Sequence, residues 1–161
     1  MMKSVGLVLL TATFAYSGAE GANACATVLQ AKWLNYGGSS MPLSAFTACS
    51  SDPASQAALN AVNGVNSGCM GYNFLVGPLK CEVGMAPVLK CLAGKLGYLK
   101  ADGSINNTKI FAQFKTDATS DPTCNLAQYN FAVNKCGTTI NNYAFLAKVY
   151  CIITATDQYT G

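Results

Sequence analysis

Residues 51–69 have the sequence SDPASQAALNAVNGVNSGC, which opens with a serine, an aspartate and a proline. This order is typical of a helix start, because Pro53 suits the first helical position, where a missing N–H costs no hydrogen bond. The apolar residues that follow keep the helical period, and they are Ala58, Ala61, Val62, Val65 and Cys69. The stretch therefore predicts an amphipathic helix whose apolar face includes a cysteine.

The same opening recurs at Ser120-Asp121-Pro122 and predicts a second amphipathic helix. Its apolar positions follow an i, i+3, i+7, i+10 pattern at Leu126, Tyr129, Val133 and Cys136. Near the C-terminus a third set repeats the helical period at Ile140, Tyr143, Ala144, Ala147, Tyr150, Cys151 and Thr154. Residues 149–156 are also rich in β-branched side chains, so a strand is the alternative there.

The remaining segments carry weaker signals. Residues 24–36 predict a helix around Trp33 that ends at Gly37-Gly38, and residues 43–49 predict a short helical turn. Residues 69–97 contain many glycines, so we expect short helices broken at Pro78 and Pro87. The Asp-Gly and Asn-Asn content of residues 101–108 predicts an exposed loop. The fold class that follows is all-α, a compact disulfide-cross-linked helical bundle, with an α+β domain carrying a small C-terminal sheet as the alternative.

Eight cysteines determine how this bundle is held together. They are Cys25, Cys49, Cys69, Cys81, Cys91, Cys124, Cys136 and Cys151. An even number of cysteines in a secreted chain predicts four disulfides, although the spacing does not select their pairing. A zinc site is not expected, because the nearest two cysteines are ten residues apart and the chain has no histidine.

The N-terminal residues predict export from the cell. Lys3 precedes a mostly apolar run from Val5 to Tyr16 and then small residues, which is the order of a signal peptide. We expect residues 1–19 to be the signal peptide, with cleavage possible as late as residue 24, and residues 20–161 to form a single disulfide-rich secreted domain. The apolar run is about a dozen residues, whereas a membrane-spanning helix needs roughly 20. The predicted location is extracellular.

Charge composition limits the classes of partner that we expect for this protein. After removal of residues 1–19 the lysines outnumber the acids by two, and the chain has no arginine. Nucleic-acid binding is therefore not expected, because it depends on a dense lysine and arginine surface. An otherwise apolar stretch contains Lys90, Lys95 and Lys100. Side chains spaced five residues apart point to different sides of a helix, so these lysines do not form one cationic face. For this reason we do not expect the protein to contact a membrane.

An inventory of reactive groups argues against catalysis. Without histidine, the serine and cysteine triads lack their usual base. Asp52 and Asp121 occupy helix-capping patterns, and Glu82 is the single glutamate after the processing region, so a tuned carboxylate pair is not expected. No phosphate-binding glycine loop occurs, since Gly94-Lys95 continues with leucine. We therefore expect a protein that is not an enzyme, with no cofactor and no metal.

Asn106-Asn107-Thr108 is an N-glycosylation sequon within a predicted exposed loop. In a eukaryotic secreted protein Asn106 is therefore the expected glycan attachment site.

The first mature stretch contains Ala24-Cys25-Ala26-Thr27, followed by 23 residues between Cys25 and Cys49. In both features it resembles elicitins, the secreted sterol-carrying helical proteins of oomycetes, and the lack of arginine and histidine is similar as well. The resemblance covers about a sixth of the chain. The chain departs from that family by having eight cysteines instead of six, by containing Trp33 and by lacking the later close cysteine pair. The resemblance implies a lipid cavity lined by apolar helix faces.

Two function classes follow from these observations. The first is a carrier or sensor of a small apolar, lipid- or sterol-like ligand held between cross-linked helices, favoured by a hydrophobic content of 51%. The second is an extracellular structural or interaction protein, or a host-interface effector, whose partner is another extracellular protein. A membrane-active cationic protein is a lesser alternative. The sequence does not identify the ligand-binding residues.

Overall fold

A computed structural model of the chain describes residues 23–34 and 42–161. The predicted signal peptide and the predicted end of the first helix at Gly37-Gly38 lie outside the described residues. Within the described part the fold is all-α, as predicted. Its helices are α1 (Ala24–Trp33), α2 (Leu43–Ser50), α3 (Pro53–Val62), α4 (Leu79–Lys95), α5 (Asn107–Thr119), α6 (Leu126–Cys136) and α7 (Phe145–Asp157).

The helices pack as two groups around one core. Helices α2, α3 and α4 contact one another, and α1, α5, α6 and α7 form the other group. The edge-to-face contact of Tyr98 with Phe145, whose ring centres are 5.8 Å apart, links the segment after α4 to α7. Leu89 and Leu92 of α4 and Ile110 of α5 are fully buried. Burial of such side chains is the main driving force of the fold.

The start of α3 is as the sequence predicts, but its end is not. Asp52 caps the helix by accepting a hydrogen bond of 2.9 Å from the Ser55 amide, and Pro53 is the first helical residue. The helix stops at Val62, so the prediction that Val65 and Cys69 continue its apolar face is wrong. Asn63-Gly64 and Ser67-Gly68 favour turns over helix, and Val65 is 83% exposed.

The start of α6 and the continuity of α4 also differ from the prediction. Helix α6 begins at Leu126 and not at Pro122, because Asn125 and Gln128 form a reciprocal capping box, while Asp121 closes a turn with Thr123. Helix α4 is continuous through Pro87, which contradicts the predicted break at that residue. Pro87 is exposed, so its ring meets solvent and not the core, and the helix tolerates the lost hydrogen bond.

The C-terminal segment is helical, and the alternative of a small sheet is wrong. Val149, Ile152 and Ile153 are buried on one face of α7. Their packing against the core outweighs the β preference of branched side chains. Helix α5 was not predicted, and Asn107 and Thr108, expected in a loop, form its first turn. Two isolated bridges, Asn73 with Val76 and Leu99 with Ile105, are the extended pairings within residues 23–34 and 42–161.

Candidate functional site

All eight cysteines form disulfides, which confirms the predicted number of four. The pairs are Cys25–Cys124, Cys49–Cys91, Cys69–Cys81 and Cys136–Cys151. They join α1 to the segment before α6, α2 to α4, the loop after α3 to α4, and α6 to α7. Each bridge therefore ties an element to a neighbour. Among the described residues, no group of three or more histidine, cysteine or acidic side chains is placed to hold a metal ion.

The acidic side chains singled out in the sequence have structural partners. Asp52 caps α3, and the amide hydrogen bond from Ser55 lowers the pKa of its carboxyl. The Thr123 hydroxyl bonds Asp121 at 2.6 Å and likewise lowers the pKa of that carboxyl. The buried Asp117 carboxylate accepts a hydrogen bond of 3.0 Å from the Gln113 amide. These aspartates stabilise turns and helix ends.

Asn106 precedes α5 and caps it. Its side-chain oxygen accepts a hydrogen bond of 3.0 Å from the Lys109 amide. Thr108, the last residue of the sequon, is exposed. Glycosylation of Asn106 stays a prediction, which the mass of the protein purified from its source would test.

The predicted apolar ligand cavity corresponds to a small gap between α1, α5 and α7. Its lining is wholly apolar, with Leu29, Trp33, Phe114, Val149, Ile152 and Ile153. The gap has a volume of about 10 Å³, which is the space that one water molecule needs. Trp33 lines this gap, and its buried ring packs edge-to-face on Phe114 with ring centres 4.4 Å apart. A lipid would enter only if these helices separated.

A second feature is a set of exposed apolar side chains in the loop after α3 and the first turns of α4, which we call the apolar face. It consists of Val65, Met70, Val76, Leu79 and Val83, with exposed fractions between 53% and 83%. Leu79 and Val83 are four residues apart and therefore adjacent on one side of the helix. The Cys69–Cys81 bridge holds Met70 beside the same turn. Grouped apolar exposure of this kind is typical of an interaction site.

The loop that carries the apolar face is firmly held. Besides the disulfide, the Tyr72 amide donates to the Cys69 carbonyl at 2.8 Å, and the Leu75 amide donates to the Asn73 side chain at 2.8 Å. The Tyr72 ring covers Gly77 so closely that an added Cβ would lie 2.6 Å from it, which excludes larger residues there. The loop therefore presents its apolar side chains from a backbone held in one conformation.

A third feature is an open cleft of about 210 Å³ between α4, residues 139–144 and α7. We call it the Glu82–Lys148 cleft, after the two charged residues in its lining. The Asn142 amide donates to a Glu82 oxygen at 2.8 Å, and the Lys148 ammonium donates to the Cys136 carbonyl at 2.6 Å. Burial lowers the pKa of Lys148. The two charges make no ion pair with each other.

The backbone beside this cleft is strained. Asn142 and Tyr143 are consecutive non-glycine residues with φ of 48° and 59°, in the left-handed region. Such residues persist where surrounding contacts hold them, and they concentrate at functional sites. The Tyr143 hydroxyl donates to the Gly103 carbonyl at 3.1 Å, and the Lys90 ammonium lies 5.5 Å from the centre of its ring. These contacts hold Asn142 against Glu82. Sequence reasoning missed this site because its charges are far apart in the chain.

The lysines considered for membrane contact do not share one helix. Lys90 and Lys95 belong to α4, whereas Lys100 lies in the loop beyond it. Within the described residues, no helix combines the length and the apolar character needed to cross a bilayer.

The comparisons with known proteins give no relatives. No protein-family model matches the chain, and neither a curated protein nor a solved structure does. The local resemblance to elicitins is thus not accompanied by a family match. The geometry of the sites is therefore the basis for a proposed function.

Proposed function

We propose that this protein is a non-enzymatic structural protein of the extracellular space that assembles with copies of itself through the apolar face. The observation that carries the proposal is the apolar face itself, five exposed hydrophobic side chains. Met70, Val76 and Leu79 lie within the segment closed by the Cys69–Cys81 bridge, and Val65 and Val83 flank it. A loop already held in its conformation loses little entropy when it docks. Covering exposed valine, methionine and leucine side chains with a second apolar surface is favourable, because it removes their apolar area from water.

The charge pattern favours a second copy as the partner. Residues 53–79 contain no charged side chain, and this stretch includes four of the five residues of the apolar face. The nearest charges in the sequence are Lys80 and Glu82, beside Leu79 and Val83. In a two-fold contact the same patch faces itself, so any charge near the axis meets a like charge. Like charges in a contact are destabilising, and an uncharged apolar patch avoids them. The surface therefore suits self-association.

Sedimentation equilibrium on the oxidised processed protein tests this proposal. We expect concentration-dependent association between about 1 μM and 1 mM, and Leu79→Gln should weaken it by about tenfold or more. Leu126→Gln is the matched control, because Leu126 is also an exposed helical leucine but lies on α6, outside the apolar face. A monomer throughout this range, or equal effects of both substitutions, would contradict the proposal.

A carrier of an apolar ligand is the second candidate, favoured by the wholly apolar gap at Trp33. It requires α1 to move away from α5 and α7 when the ligand enters. Native mass spectrometry of protein isolated from its source separates the two proposals. A stoichiometric lipid would support the carrier, and ligand-free oligomers would support self-assembly.

A further inference from the structure

The Glu82–Lys148 cleft has the size of a small-molecule site. Its volume is about 210 Å³. Sites for drug-sized ligands begin at roughly 300 Å³. A ligand that fills this cleft is therefore comparable in size to a single amino acid.

The two charges in the cleft retain unused hydrogen-bonding capacity. Among the described residues, Glu82 accepts one hydrogen bond, from Asn142, although a carboxylate can accept about four. Lys148 donates one hydrogen bond, to Cys136, although an ammonium carries three donors. Because the two groups form no ion pair with each other, both can bind a third molecule between them.

The walls of the cleft hold these charges in place. Lys148 lies on α7 between its start and Cys151, whose disulfide to Cys136 ties that helix to α6. Glu82 is fixed by Asn142, which belongs to the strained pair of left-handed residues. Binding to groups that are already positioned requires little loss of conformational entropy.

We infer that the Glu82–Lys148 cleft binds a small zwitterion with a primary ammonium and a carboxylate, such as a free amino acid. The ammonium would donate to Glu82 and the carboxylate would accept from Lys148. A simple anion would meet the Glu82 carboxylate, and a simple cation would meet the Lys148 ammonium, so a molecule with both charges fits best. A quaternary ammonium fits less well, because no lining residue is aromatic. The remaining lining, including Thr139 and Ala147, is uncharged.

Amide NMR spectra of the full oxidised protein test this inference, with glycine, β-alanine and γ-aminobutyrate as probes of increasing charge separation. We expect saturable shifts at Ala144, Ala147 and Lys148 for at least one probe below about 50 mM. Propionate and propylamine, each carrying one of the two charges, should bind about tenfold more weakly or worse. Absence of saturation with all three zwitterions, or equal binding of the singly charged compounds, would overturn the inference.

Conservative variants test the two charges separately. Glu82→Gln keeps an oxygen for Asn142, and Lys148→Gln keeps a donor for the Cys136 carbonyl, so both should fold. Each should weaken binding of the zwitterion by about tenfold or more, because each removes one charge-assisted contact. Lys115→Met, an exposed position on α5 away from the cleft, should leave the affinity unchanged. Unchanged affinity in both cleft variants would contradict the inference, since their dispersed spectra would show that the fold is intact.

Discussion

Removal of the Cys25–Cys124 bridge should destabilise the protein more than removal of any other disulfide. This bridge closes a loop with a sequence separation of 99 residues, against 42 for Cys49–Cys91 and 12 for Cys69–Cys81. If a disulfide acts by restricting the unfolded chain, its contribution rises with the logarithm of the loop length. Because the inner bridges stay intact, the shortest path across Cys25–Cys124 is about 57 residues and that across Cys49–Cys91 about 30. The expected losses on double replacement by alanine are about 4.2 kcal/mol for Cys25–Cys124, about 3.6 for Cys49–Cys91, about 3.0 for Cys136–Cys151 and about 2.8 for Cys69–Cys81.

The comparison between the longest and the shortest loop is well matched. Cys25, Cys124, Cys69 and Cys81 are all at least 92% buried, so the loss of sulfur packing is similar in both double variants. The difference of about 1.4 kcal/mol between them therefore reports the loop length. Urea unfolding followed by far-UV circular dichroism measures each free energy of unfolding.

The single tryptophan supplies a second, local readout of the same variant. Trp33 is 2% exposed and lies on α1, the helix that Cys25 anchors. If α1 becomes less stable without the bridge, Trp33 fluorescence should shift to longer wavelength at a lower urea concentration than the circular dichroism signal. Losses that are equal for the four pairs, or largest for Cys69–Cys81, would refute the reasoning from loop length.

Three further predictions concern single groups. Asn23→Ala should lower the free energy of unfolding by about 1 kcal/mol in urea titrations, because Asn23 caps α1 through the Cys25 amide; an unchanged value would contradict this role. Pro87→Ala should raise the melting temperature and stabilise the fold by about 1–3 kcal/mol, since alanine restores a hydrogen-bonding N–H inside α4; a lower melting temperature would show that the proline is needed. Burial raises the pKa of Tyr98 to about 12. The neutral phenol therefore contributes stability that is complete below pH 10 and lost between pH 10 and 12, so Tyr98→Phe should reduce the alkaline loss measured by circular dichroism.

Much of the secondary structure could be predicted because its signals are local. The Asp52 cap with Pro53 marks the start of α3. The helical period predicted from Ile140 to Thr154 marks α7, although the helix begins only at Phe145. The start of α6 was missed because two capping signals compete, and the capping box of Asn125 with Gln128 outweighs the turn at Asp121. Helix α5 has a helical spacing at Ile110, Phe114 and Ala118, which are buried, but the turn-forming residues just before it also predict a loop.

The candidate sites were less predictable than the helices. Val65 is exposed because α3 ends before it, at Val62. The turn at Asn63-Gly64 sets the position of this helix end. Glu82 and Lys148 come together only through the packing of α4 near residues 139–144, so no local pattern marks them. The strain at Asn142 is likewise a product of the contacts around it.

The sequence by itself determined that this protein is a helical domain held by four disulfides, because helix periodicity, caps and an even cysteine number are properties of neighbouring residues or of composition. The tertiary structure decided which cysteines pair, which apolar side chains stay exposed and which charges share a cleft. The physical reason is that helix formation depends on contacts within a few residues. Disulfide pairing and site assembly depend on packing between segments up to 134 residues apart, and sequences with the same local pattern can pack such segments differently.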